Sequence, residues 1–264
     1  MPKALSRSQI DGFEADGYCF PIEVLAPEET LRYRHELEAV ESRSLGLRTD
    51  LHLIKRWAWD LIHDPRIVDP VEDVLGADIL CWSLNWFIKE PREEKFVSYH
   101  QDATYWGLEP HDVVTAWLAL SDAGLDTGPM KFIPDSHKWP VHNHVDTREK
   151  QNMLTRGQVI DVEVDESVAV SAPLAEGQMS LHHVRLVHGS EPNTTDDRRI
   201  GMVIRYMAPH VRQTKVEDTA VLVRGEDTHG HFELLPAPEQ DMGEAELARH
   251  ADAVARMQRA LFSD

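Results

Sequence analysis

The 264-residue chain has only two cysteines, Cys19 and Cys81, too few and too far apart for a disulfide framework. They read as reduced, buried thiols, which makes a reducing compartment, the cytoplasm, the simplest location. No apolar run is long enough to span a bilayer. The opening Met1-Pro2-Lys3-Ala4-Leu5-Ser6 passes into polar sequence without the apolar stretch of a secretory leader. Basic residues are scarce: 27 Lys and Arg stand against 46 Asp and Glu, a net charge of −19. Such a chain repels nucleic-acid phosphates and anionic membrane surfaces, so neither is an expected partner. A long polyanionic substrate is also disfavoured, because Lys131, Lys138, Arg156 and Arg224 are scattered along the sequence. No linker, low-complexity tract or internal repeat divides the chain, which reads as one domain over residues 1–264.

What is present is a helical start, a β-rich middle and a helical end. Ser6-Arg7-Ser8-Gln9 forms a capping-box pattern ahead of Ile10 and Phe13, predicting a helix to about Asp16. Gly17 to Ile22 reads as a short strand, and Pro27 opens a second helix through Leu31, His35, Leu37 and Val40. Asp69-Pro70 is read as the start of a further short helix ending at Gly76. From Ile79 to Tyr206 the apolar runs are short, rich in aromatic and β-branched residues, and punctuated by turns, as in β-sandwich strands. Glu244 to Phe262 is an amphipathic helix with an apolar stripe of Leu247, Val254, Met257 and Leu261, a lid or brace on the sheet. Val223 to Phe232 is a polar loop with two histidines, a candidate gate. The expected class is mainly β with flanking helices (α+β), the N-terminal helices covering about 6–76 and the C-terminal helix about 244–262.

Two short segments carry chemistry. In His100-Gln101-Asp102 the spacing puts both side chains on one face of a strand. His188, in His188-Gly189-Ser190, can bring a third ligand from a distant strand. Two imidazoles and a carboxylate on one face of a metal leave its other face open, which suits a mononuclear non-haem Fe(II) site. The His-x-Asp spacing recurs in His144-Val145-Asp146, but that copy follows a Pro-containing turn and reads as an exposed loop. Strand alternation sets His182, His188 and Ser190 on one face and His183 on the other. A turn-rich loop from Gly189 to Asp197 then suggests a hairpin returning Arg199 alongside His188. A buried arginine there would hold a carboxylate through two charge-assisted hydrogen bonds, whereas Arg198 reads as a solvated strand-end cation.

These segments, with Val114-Thr115-Ala116-Trp117-Leu118 and Gly128-Pro129-Met130-Lys131-Phe132-Ile133-Pro134, resemble the phytanoyl-CoA dioxygenase family. The resemblance also takes in Asn193, Thr195 and Arg199, and is specific between Lys89 and Tyr206. It implies a double-stranded β-helix, or cupin-like jelly roll, and an oxidoreductase that uses Fe(II), 2-oxoglutarate and O2. It implies that His100, Asp102 and His188 bind iron and that Arg199 anchors the distal carboxylate of 2-oxoglutarate. By the same matching Ser190, Thr115, Trp117, Gln101 and Lys89 border the co-substrate pocket. Tyr99, Tyr105, Trp106, Trp82 and Trp86 stand near the motif strands, and Tyr105, Trp106 and Trp86 are candidate substrate contacts. The family's usual Asn-Gly and Gly-Ser-His are here Thr127-Gly128 and Asp135-Ser136-His137, departures confined to turns. The carboxylate of Asp102 is retained, which favours hydroxylation over halogenation. Two other readings of the residues stay open: a cupin-like metalloenzyme without 2-oxoglutarate, and a non-catalytic β-sandwich binding protein. The expected partner is a small-molecule substrate, with oligomeric state open.

Overall fold

The computed structural model describes residues 2–43 and 47–262. Helix α1 (Arg7–Asp16) starts on the expected capping box, with Ser6 and Gln9 satisfying each other's backbone N–H, and stops at Gly17 in the left-handed region. Helix α2 (Pro27–Arg43) has Pro27 in its first turn with Glu28 and Glu29. Helix α3 (Arg56–Ile62) follows, a short element that the sequence reading lacked. Helix α4 (Pro65–Leu75) begins earlier than Asp69-Pro70 suggested. Asp64 caps it by accepting from the Arg66 N–H, and Pro65 takes the first position, so Pro70 falls inside the helix. Helix α5 (Ala103–Trp106) is one turn, and α6 (Glu244–Phe262) has the predicted bounds.

The strands, in chain order, are β1 (Tyr18–Glu23), β2 (Ile79–Lys89), β3 (Val97–His100), β4 (Leu108–Glu109) and β5 (Val113–Ala119). Next come β6 (Met130–Phe132), β7 (His144–Asp146), β8 (Gln158–Ile160), β9 (Val170–Ala172) and β10 (Gln178–His183). The last are β11 (His188–Ser190), β12 (Arg199–Met207), β13 (Arg212–Gln213), β14 (Thr219–Arg224) and β15 (Glu233–Leu234). A seven-stranded sheet runs β1-β10-β5-β12-β2-β14-β15, and a four-stranded sheet runs β3-β11-β6-β9. Two further pairs, β13-β4 and β7-β8, complete the set. Strand β14 lies beyond the expected end of the strands at Tyr206 and pairs with β2. The histidines after it, His229 and His231, are exposed, His229 beside His210, and line neither cavity described below, while Phe232 packs with Trp82, Trp106 and Met257.

β12 and β5 are buried along their whole length because both faces of the large sheet are covered. On β12, Ile200, Met202, Ile204 and Tyr206 join Ile10, Phe13, Leu37, Leu61, Ile67 and Val71 of α1 to α4 in one core. The alternate residues Arg199, Gly201, Val203 and Arg205 face the small sheet, where Trp117, Val203, Met130, Phe132 and Leu186 form a second core. Period-two alternation thus separates an all-apolar outer layer from an inner layer that holds the polar site.

Helix α6 buries Glu246, His250, Ala253, Met257 and Ala260, while Leu247 and Leu261 of the predicted stripe pack against the cores partly buried. The two polar members are there because they have partners: His250 Nε2 bonds Thr49 O at 2.7 Å, and Glu246 accepts from Glu239 N at 3.2 Å. Val254 and Leu261, from the predicted stripe, line the outer cleft.

Candidate metal centre and its two cavities

His100 and His188 lie opposite each other across β3 and β11, with ring centroids 4.2 Å apart. Asp102 is past the end of β3 in helical backbone, so it reaches the site from the start of α5 and not through strand alternation. His100 Nε2 is 3.4 Å from Asp102 Oδ1, and one ligand atom from each of His100, Asp102 and His188 falls within 4.8 Å of the others. Among the described residues this is the group of three donors able to hold a metal.

The donors are prepared for a cation. His100 Nδ1 and His188 Nδ1 each donate to the carbonyl two residues upstream, Ser98 O and Leu186 O, both at 2.9 Å. That fixes the tautomer with a lone pair on each Nε2. Burial pushes His188 down to about 4, helped by the neighbouring His100, so its imidazole is neutral at pH 7. Burial alone would raise the Asp102 carboxyl. Its neighbours His100, His188 and Arg205 outweigh it and hold Asp102 well below the usual range.

A cavity surrounds these donors, lined also by Thr115, Trp117, His182, Ser190, Arg199 and Arg205. Thr115 Oγ1, His182 Nδ1, Arg199 Nε and Arg205 Nε are buried there without hydrogen-bond partners. Unsatisfied buried polar atoms are costly, and a polar guest would satisfy them. Arg199 is fully buried, donates from Nη1 to Gly128 O at 2.9 Å, and lies 5.2 Å over the Trp117 ring. Burial lowers it to about 10, leaving it charged at neutral pH. The donor set therefore fits iron, and the arginine end fits a dicarboxylate.

Arg199 does not arrive through a hairpin beside His188. Its strand pairs with β2 and β5 in the large sheet, whereas His188 belongs to the small one, so the loop between them crosses the sandwich. Asn193 stitches that crossing, donating from Nδ2 to Asp197 O at 2.8 Å and accepting from Thr195 N at 3.0 Å. His182, on β10 ahead of β11, also lies in the large sheet, its ring 4.8 Å from that of His188. Arg198 is not solvated: it pairs with Glu41 and Glu90, each at 2.9 Å.

Two predicted pocket residues are spent elsewhere. Lys89 Nζ donates to Ser190 Oγ at 2.7 Å and to the Glu191 carbonyl, and its side chain does not line the cavity. Gln101 Nε2 donates to Arg185 O and Pro140 O at 2.9 and 3.3 Å, and its Oε1 accepts from His142 N. Both brace the loops around the site. His144, read as an exposed loop residue, is half-buried on β7; its Nε2 accepts from Gln101 N at 3.0 Å, between the two ligands. Asp146 is exposed.

A second, open cleft of about 330 Å³ meets the cavity at His100, Asp102, Phe87 and Arg205. Tyr105, Trp106 and Trp86 all line it. Trp86 also belongs to the outer core, 6.1 Å from Trp57.

The site and fold are those of a mononuclear non-haem iron oxygenase. The chain belongs to the phytanoyl-CoA dioxygenase family, Fe(II)- and 2-oxoglutarate-dependent enzymes, whose model matches residues 13–201. It is 31% identical over 194 residues to a probable alpha-ketoglutarate-dependent hypophosphite dioxygenase of Stutzerimonas stutzeri, covering 71% of this chain and 65% of that protein. It is 25% identical over 224 residues to the ectoine dioxygenase of Halomonas elongata, covering 74% and 68%. The chain thus spans about two thirds of the length of these two relatives. Among solved structures, the apo form of the non-heme monooxygenase ThoJ superposes with a TM-score of 0.86 at 35% identity, covering 96% of this chain and 97% of that one. CytC3 with Fe(II) and alpha-ketoglutarate shares the fold, with a TM-score of 0.69 at 22% identity over 92% and 100%.

Proposed function

We propose that this protein is a 2-oxoglutarate-dependent dioxygenase that hydroxylates a small organic substrate. The observation that carries the reading is a tautomer-fixed His100/Asp102/His188 triad sharing one cavity with the buried guanidinium of Arg199. His100, Asp102 and His188 would hold iron. With 2-oxoglutarate and O2 bound, that metal supplies oxygen activation, coupling decarboxylation to succinate and CO2 with delivery of one oxygen atom to the substrate.

The chain's own residues orient and shield. Arg199 receives the distal carboxylate of 2-oxoglutarate, Trp117 holds the guanidinium from its ring face, and Thr115 and Ser190 complete the pocket wall. Phe87, Val97, Met130 and Val203 keep water from the reacting centre. The primary substrate enters through the outer cleft, against Tyr105, Trp106 and Trp86. Helices at both ends and the two sheets act as one catalytic unit. The buried, unpaired thiols of Cys19 and Cys81 support a reducing compartment, the cytoplasm. No helix among the described residues is long and apolar enough to cross a membrane.

The test is anaerobic addition of Fe(II) and then 2-oxoglutarate, read by the visible charge-transfer band of a chelated keto acid. The expected result is a band in the wild type that His100→Ala abolishes. A folded, iron-loaded protein without the band would overturn the reading.

A further inference from the structure

β12 carries two buried arginines on its inner face, Arg199 and Arg205, and the proposed reaction uses only the first. Six strand residues set their Cα atoms roughly 20 Å apart. Arg199 is accounted for by Gly128 O, the Trp117 ring and the co-substrate pocket. Arg205 is not. It is 8% exposed, donates one hydrogen bond, from Nη1 to Ser83 Oγ at 3.1 Å, and leaves Nε buried without a partner. No carboxylate among the described residues lies within ion-pair distance of it. Asp102 is committed to the metal set, and Asp50 accepts from Leu84 N at 2.8 Å. A buried guanidinium with one side-chain hydrogen bond, no ion pair and an unpartnered Nε is poised for an anion.

Its position says which anion. Arg205 lines both the cavity of the triad and the outer cleft, whereas Arg199 lines the cavity alone. Among the described residues lining the cleft, the other acidic or basic side chain, histidine aside, is Asp102. Trp82, Trp86, Phe87 and Trp106 give the wall an aromatic side, and Asn85, Gln158 and Gln258 add uncharged polar groups. Trp106 lies under the Arg205 guanidinium at 4.5 Å, which fixes its plane and turns its edge toward a planar, bidentate guest.

We propose that Arg205 is the substrate anchor, taking the carboxylate of an organic acid whose apolar body lies along the tryptophan wall. This rests on the oxygenase reading above: the anchor holds that acid beside His100 and Asp102, where its C–H bonds can be oxidised. The substrate class is therefore an aromatic or branched-chain monocarboxylate and not a neutral or cationic molecule.

The experiment uses phenylacetate and indole-3-acetate, each paired with its neutral amide, titrated against tryptophan fluorescence. Titrations are run on the metal-free protein and, anaerobically, on the protein with Fe(II) and 2-oxoglutarate. Expected is at least tenfold tighter binding of the acids than of their amides. In Arg205→Gln the preference disappears, and in Arg205→Lys part of it returns. Affinity for 2-oxoglutarate with Fe(II) should change less than threefold in Arg205→Gln and collapse in Arg199→Gln. Equal binding of acid and amide in the wild type, or no binding of either, overturns the proposal without need of a variant. Loss of 2-oxoglutarate binding in Arg205→Gln equal to that in Arg199→Gln also overturns it, by assigning Arg205 to the co-substrate. Failure of the oxygenase reading would look different, since it removes the keto-acid band in the wild type.

Discussion

Arg199 and Lys89 face each other across β12 and β2 and share one acceptor, the carbonyl of Gly128, at 2.9 and 3.4 Å. Burial, reinforced by the Arg199 charge, drives Lys89 down to about 6. Gly128 can serve both because it has no Cβ: at φ +70 a Cβ would meet Glu191 O at 2.0 Å.

This end of the cavity therefore selects a carboxylate through Arg199 alone. Arg199→Gln should raise the dissociation constant for 2-oxoglutarate about 100-fold, the loss of about 2–3 kcal/mol of charge-assisted hydrogen bonding. Arg199→Lys should recover only part, because an ammonium lacks the planar fork. Anaerobic titration of the keto-acid band measures both, and an unchanged constant in Arg199→Gln would refute the assignment.

Gly201 faces Trp117, whose ring carbon Cζ2 would lie 2.1 Å from an added Cβ. Gly201→Ala should displace the indole from beneath Arg199 and destabilise the fold by about 1–3 kcal/mol. A fall in melting temperature with weaker 2-oxoglutarate binding is the expected pair of results. An unchanged melting temperature would show that the ring has room to move.

His144 accepts the N–H of Gln101, the residue between two iron ligands. His144→Ala should weaken Fe(II) binding about tenfold, as loss of an outer support does at other metal sites. His144→Gln, which keeps an acceptor, should restore part of it. Equal affinity in wild type and His144→Ala, by competition with a chromogenic chelator, would remove the residue from the site's support.

Acid should unfold the metal-free protein. Burial lowers His188 to about 4 and His52 to about 3. For each, stability is complete above the unfolded value near 6.5 and is lost as pH falls toward the folded one. Asp50 works the other way: burial raises it to about 7, so acidification from 7 to 4 restores its share. His182, shifted well below its usual value by burial, adds to the histidine side. Histidines outnumber the carboxyl, and each uncompensated proton is worth about 1.4 kcal/mol per pH unit. The urea midpoint should fall steadily from pH 6.5 to 4.5; a rise would contradict neutral burial of these rings.

Much of this was legible in residue order. The capping box of Ser6 and Gln9 and the bounds of α6 follow from local spacing, and the family resemblance named His100, Asp102, His188 and Arg199, which share one cavity although Asp102 and Arg199 reach it by routes the spacing did not give. What escaped depends on which sheet a strand joins. Arg205 and His144 reach the site because the chain crosses between sheets or folds a loop back over it, and no local pattern encodes that. Lys89 and Gln101 were misplaced for a related reason: their polar ends meet backbone carbonyls from distant loops, and such acceptors have no signature in side-chain identity.

The carbonyl clamps on His100 and His188 have an evolutionary corollary. Each clamp is made by the main chain two positions back, so imidazole orientation does not depend on the chemistry of the Ser98 and Leu186 side chains, which are held by other needs: Leu186 by the inner core and Ser98 by its hydrogen bond from Asn152. His144 is held the same way by the carbonyl of His142. The feature that aims these rings is inherited as backbone shape, and a comparison of aligned letters would pass over it.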